Sequence, residues 1–210
     1  GAILVTLQNG IEAPALVAGL FPGHPVIAGS AFIGARIERP GCVVHSAAGL
    51  IRIAPWAHAD EEHMASVLDL LDQAGVPVER CEDARTMLWH KMLWNCGFNA
   101  ITALTRRHAR DIACFDETAR IAREAMLETL RAAVADGARL DEEEVDRQMR
   151  ITRELGPVKT SMWQDIEQGR KTEIEAMNGQ VVVVSREHGL DAPVNAMLTA
   201  LIHALEAREH

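Results

Sequence analysis

The chain has 210 residues, 48% of them hydrophobic, and a formal net charge of -9. That length allows one large domain or two small ones, and that acidity argues against nucleic acid or an anionic membrane surface as the main partner. Four widely spaced cysteines without a CxxC pattern read as reduced thiols of a cytoplasmic protein, and nine scattered histidines give no cluster at metal-ligand spacing. No signal peptide is visible, and no apolar run approaches the roughly 20 residues needed to span a bilayer.

The first elements alternate strand and helix. AILVTLQ (Ala2 to Gln8) is a short apolar run stopped by the turn signal Asn9-Gly10. A modest helix follows over IEAPALVAGLF and ends at Pro22-Gly23. PVIAGSAFIGARI, CVVHSA and LIRIAP read as three successive strands punctuated by Pro40-Gly41 and Gly49. DEEHMASVLDLLDQAG has the spacing of an amphipathic helix, with apolar residues at Met64, Val67, Leu68, Leu70 and Leu71, and VPVERCE is a last strand. Such alternation predicts part of an α/β sheet over residues 1–82.

From Asp83 onward only helical patterns remain, which predicts an all-α domain over 83–210. Phe115 to Ala135 is periodic and closed by Gly137, and Asp141 is placed to cap a charged helix that Gly156-Pro157 breaks. Thr172 to Glu175 (TEIE) has the form of a capping box opening a helix that runs to Gly189. Within that helix Gly179 predicts close packing against a neighbouring helix, because a mid-helix glycine costs about 1 kcal/mol against alanine. Pro193 stands at the start of a final helix.

WHKMLWNCGFNAITAL, from Trp89 to Leu104, poses a chemical question. It is apolar nearly all round, as a buried helix is, yet Lys91, Asn95 and Asn99 follow one another at intervals of four. Each step of four advances only about 40° around a helix, so the three form one stripe. A snorkelling lysine and amides that satisfy loop backbone would explain such a row structurally. A polar seam lining a cleft explains it functionally, with Lys91 as proton donor to a carbonyl oxygen or as Schiff-base nucleophile. SMWQDIEQGRKTEIEAMNG (Ser161 to Gly179) supplies a second polar cluster, with Ser161 and Asp165 four apart and Glu173 in the predicted first turn of a helix.

Taken together these segments resemble the ketopantoate reductases (2-dehydropantoate 2-reductases). LQNG (Leu7 to Gly10) is similar to the family's strand end beside the nicotinamide, and KMLWNCGFNAITAL to its catalytic helix. The Ser161–Gly179 stretch resembles its C-terminal signature, and PGCVVHSAAG with His45 its PG-x-V-x-H segment. The resemblance implies an incomplete Rossmann-type NADP-binding domain followed by a helical substrate and dimerisation domain in a homodimer. It implies NADPH-dependent reduction of ketopantoate, a small-molecule 2-oxo acid, to pantoate in pantothenate biosynthesis. By the same resemblance Lys91 protonates the keto oxygen, Glu173 orients the substrate's hydroxyl end, and Ser161 meets its carboxylate. Asn95 and Asn99 contact the substrate, and Asn9 the cofactor.

Two positions depart from the family pattern, Ala109 and Val158 standing where an Asn is expected, which points toward a related 2-oxo acid. The chain also opens inside an apolar run without an initiator Met and contains no G-x-G-x-x-G loop. A fragment that is weak or inactive alone is therefore expected. The rival readings are a 3-hydroxy-acid dehydrogenase-like enzyme and a non-catalytic helical dimerisation module.

Overall fold

The computed structural model describes residues 1–207. They pack as two compact units, Gly1–Leu88 and the residues from Trp89 onward. The architecture is an α/β part followed by an all-helical part.

The first unit contains β1 (Leu4–Thr6), α1 (Ala13–Leu20), β2 (Val26–Arg39), β3 (Cys42–Ala57), α2 (Glu61–Gln73) and β4 (Val78–Arg80). One four-stranded sheet has the order β1-β2-β3-β4, parallel at both outer pairs and antiparallel at β2/β3. Both crossovers to a parallel neighbour carry structure between the strands, as parallel pairing requires. Its core lies in two clusters. Ile27, Ile53, Met64 and Val67 pack α2 on the sheet, while Ala28 and Ala54 meet Ala84, Met87 and Leu88.

The sequence suggested two strands over CVVHSA and LIRIAP, but β3 is continuous. Phe32 pairs with Leu50 and Ile33 with Ala48, so Gly49 is left over as a bulge. Ala48 and Gly49 sit at φ 55° and 134°, conformations that look like a turn when read from residue type alone. His45 spans the bulge, Nε2 donating to the Ala48 carbonyl at 2.8 Å. Pro40-Gly41, by contrast, is a true turn, joining Arg39 to its partner Cys42 with Gly41 at φ 77°.

The helices are α3 (Ala84–Thr105), α4 (Ala109–Cys114), α5 (Asp116–Ala135), α6 (Glu142–Glu154), α7 (Ser161–Glu167), α8 (Gln180–Glu187) and α9 (Pro193–Glu206). α3 begins in the first unit, and from Trp89 onward it belongs to the second. There its tryptophans fasten it: Trp89 Nε1 donates to Asp136 at 2.7 Å, and Trp94 Nε1 to Thr152 on α6 at 3.0 Å. Gly97 lets α5 come close, since a Cβ there would stand 2.7 Å from the Met126 side chain and 3.4 Å from the Ala122 carbonyl. Asp141 caps α6 by accepting from the Glu144 N–H. Leu190 N–H reaches back to the Ser185 carbonyl at 2.8 Å around Gly189 (φ 68°), closing α8.

The capping box at Thr172 does not form. The Thr172 hydroxyl accepts from Ile174 N–H, two residues on, and its own N–H is taken by Glu206. The helix opens instead with a π-helical turn, Glu175–Gly179, in which Gly179 N–H donates to the Ile174 carbonyl at 3.0 Å. Gly179 is buried in that turn, and a Cβ there would first meet the end of the Glu175 side chain.

Candidate functional site

α3 carries the polar row as its spacing dictates. Asn95 and Asn99 are 5% and 2% exposed, and Lys91 is partly buried one turn earlier. Around them Trp89, Met92, Leu93, Phe98 and Ile101 fill the rest of the helix surface as core. Asn95 Nδ2 is buried without a hydrogen-bond partner among the described residues, and so is Asn99 Oδ1. Asn99 Nδ2 faces only the Met177 sulfur at 3.2 Å, a weak acceptor. These amides therefore do not serve to satisfy loop backbone.

Burial holds the Lys91 ammonium well below its usual range, at about 8. The Glu173 carboxylate pulls the other way and is the smaller influence. A lysine so placed gives up its proton near neutral pH far more readily than a solvated one. Glu173 itself is exposed, between the buried residues Thr172 and Ile174.

Two further hydrogen bonds tie the region of the C-terminal signature to α3, and one ties it to α9. Asn178, fully buried in the π turn, donates from Nδ2 to the Cys96 carbonyl at 3.0 Å and to Asn195 Oδ1 at 2.9 Å. Thr160, the cap of α7, shares a 2.6 Å hydrogen bond with Thr102, which itself bonds the Asn99 carbonyl. Ser161 follows Thr160 directly and is exposed at the first position of α7. Asp165 turns to Arg170 instead, accepting from its Nε at 2.9 Å. Ala109 and Val158 are neighbours, Ala109 N–H donating to the Val158 carbonyl at 3.4 Å.

Lys91, Asn95, Asn99, Glu173 and Ser161 thus all belong to the helical unit. Asn9 belongs to the first unit, just past the carboxyl end of β1, where Gly10 turns the chain at φ 90°. Among the described residues no group of three or more His, Cys, Asp or Glu side chains stands together as a metal site, and no helix is long and apolar enough to cross a membrane.

A buried network behind the row had no counterpart in the sequence reading. Glu128 of α5 is 2% exposed and accepts from the N–H groups of Val194 and Asn195, both at 2.9 Å, and from Asn195 Nδ2 at 2.7 Å. A carboxylate at the N-terminus of α9 is favoured by the helix dipole and by those charge-assisted bonds. Its partners lie 66 and 67 residues away, so no local pattern announces it.

Comparison with known proteins defines the family of the chain. Residues 83–206 match the family described as ketopantoate reductase PanE/ApbA C terminal, and residues 1–58 match ketopantoate reductase PanE/ApbA. The 2-dehydropantoate 2-reductase of Halobacterium salinarum is 31% identical over 202 residues, covering 96% of this chain and 67% of that protein. The structure of 2-dehydropantoate 2-reductase from Geobacter metallireducens superposes with a TM-score of 0.91 at 30% identity, over 97% of this chain and 68% of the other. A dimeric ketopantoate reductase from Staphylococcus aureus gives 0.85 at 26% identity, over 99% and 69%. The chain belongs to the ketopantoate reductase family and is an oxidoreductase of that family. It spans about two thirds of the length of these relatives.

Proposed function

We propose that the protein reduces a 2-oxo acid, ketopantoate, to the 2-hydroxy acid pantoate with NADPH as hydride donor. The observation that carries this is the buried row of α3, in which an ammonium drawn down to about 8 adjoins an amide donor lacking a partner. When bound, the nicotinamide supplies a hydride to C2 of the substrate. The residues that would hold that end of the cofactor are the Asn9-Gly10 turn, whose amide suits a carboxamide and whose place at the carboxyl end of a parallel strand suits a dinucleotide. The chain's own residues do the rest. The Lys91 Nζ–H polarises the keto oxygen and transfers its proton as that oxygen becomes an alkoxide, after which the neutral amine takes a proton from solvent. The Asn95 amide fixes the substrate against Lys91, Asn99 and Ser161 complete the polar wall, and Glu173 orients the hydroxyl end. Likeness to the dimeric Staphylococcus aureus enzyme supports a homodimer.

A second reading, a 2-oxo acid with a less polar tail, rests on Ala109 and Val158 standing side by side where the resemblance calls for amides. The test is NADPH oxidation by the full-length gene product with ketopantoate and with branched aliphatic 2-oxo acids, beside Lys91→Ala. Loss of at least about a hundredfold in kcat is expected of the variant. For the wild type, kcat/KM for reduction should fall as pH rises through about 8, where Lys91 loses its proton. Equal turnover in the variant would falsify the role of Lys91, and faster turnover of the aliphatic acids would replace ketopantoate as substrate.

A further inference from the structure

Glu173 stands in a short non-helical stretch, yet the residues on both sides of it are held by the last turn of α9. Thr172 N–H donates to Glu206 Oε1 at 2.8 Å. Glu175 Oε1 pairs with His203 Nε2 at 2.8 Å. His203 and Glu206 are three apart and so share one face of the helix end. Thr172 and Ile174, 7% and 1% exposed, turn inward and leave Glu173 facing out between the two anchors. The Thr172 hydroxyl closes on Ile174 N–H, which fixes the backbone of Glu173 itself.

We infer that Glu206 and His203 are positioning residues for Glu173, an inference that rests on the reading of Glu173 as the group that orients the substrate. The two differ in weight. The Glu206 bond is charge-assisted and ties down a backbone N–H of a buried residue, whereas the His203–Glu175 pair is solvated and screened. The end of α9 thereby sets where the Glu173 carboxylate stands, and the specificity of the site depends on a helix that does not touch the reacting atoms.

The experiment is steady-state kinetics of the full-length gene product carrying Glu206→Ala, Glu206→Gln or His203→Ala, each in the wild-type and the Glu173→Gln background. Glu206→Ala should raise KM for the 2-oxo acid about fivefold to tenfold, a part of what one hydrogen bond to a charged group contributes, because the bond lost positions Glu173 and does not itself touch the substrate, and leave KM for the nicotinamide within about twofold. Glu206→Gln, which keeps an acceptor for Thr172 N–H, should recover most of that loss, and His203→Ala should give a smaller shift in the same direction. All three shifts should vanish in the Glu173→Gln background. A wild-type KM in Glu206→Ala, or a shift of equal size without Glu173, overturns the inference. Should Glu206→Ala not fold, His203→Ala carries the same comparison. Wild-type kinetics in Glu173→Gln itself would instead overturn the reading of Glu173.

Discussion

Two sets of buried polar side chains sit close together in the helical unit and have opposite characters. Behind α3, Glu128 and Asn195 are knitted into hydrogen bonds: three donors converge on the carboxylate, and the Asn195 amide both gives and receives. On α3, Asn95 and Asn99 are as deeply buried, yet each keeps an amide atom without a partner among the described residues. Burial of a polar atom is expensive in both places, but only the first set recovers it within the fold. The difference is the one the proposed function asks for, polarity spent on the fold in the first set and polarity left for a ligand in the second.

The comparison breaks most visibly at Glu128. Its removal strands three donors, so Glu128→Ala should lose about 3–5 kcal/mol in denaturant unfolding, with KM for the 2-oxo acid little altered in the folded fraction. A loss under about 1 kcal/mol would show the network to be dispensable. Lys91 should behave in the opposite sense. The folded chain releases its proton near pH 8 and the unfolded chain near 10.5, so the fold bears the full cost of burying the charge below pH 8 and is relieved as pH rises between those values. Lys91→Met should therefore stabilise the protein by roughly 2 kcal/mol at neutral pH, allowing for the partial exposure of the side chain, and by much less above about pH 10. Unfolding curves at the two pH values would show the gap, and a pH-independent gain would contradict it. The smallest effect sharpens the comparison rather than breaking it. Asn95→Leu should leave stability within about 0.5 kcal/mol while raising KM for the 2-oxo acid about tenfold. Loss of more than about 1 kcal/mol would move Asn95 into the structural set.

Local pattern carried the sequence reading far in the helices. The interval of four put Lys91, Asn95 and Asn99 on one face, Asp141 fell where a cap belongs, and Pro193 where a helix starts. It misread Gly49, because a bulge and a turn ask for the same residue, and only the pairing of Phe32 with Leu50 tells them apart. It misread Thr172 for a related reason: TEIE offers a capping box, but the carboxylate of Glu206, 34 residues on, takes the N–H that the box would have used. Glu128, His203 and Glu206 matter through partners distant in the chain, and charge at an exposed-looking helix position gives no sign of that.

The π turn at Glu175–Gly179 has a consequence for how this segment tolerates change. Such a turn is an α-helix holding one residue more than its hydrogen bonds need, so deleting a residue there would let it relax to ordinary helix. Because the turn takes up that residue as a wider loop of backbone, the segments on either side of it would keep nearly their present facing after the deletion. Thr172 would stay within reach of Glu206, and Glu173 would keep its influence on the Lys91 charge. Between Glu173 and Asn178 the backbone thus holds slack for one residue, and a shortening there is expected to be better tolerated than the same change in a regular stretch of α3.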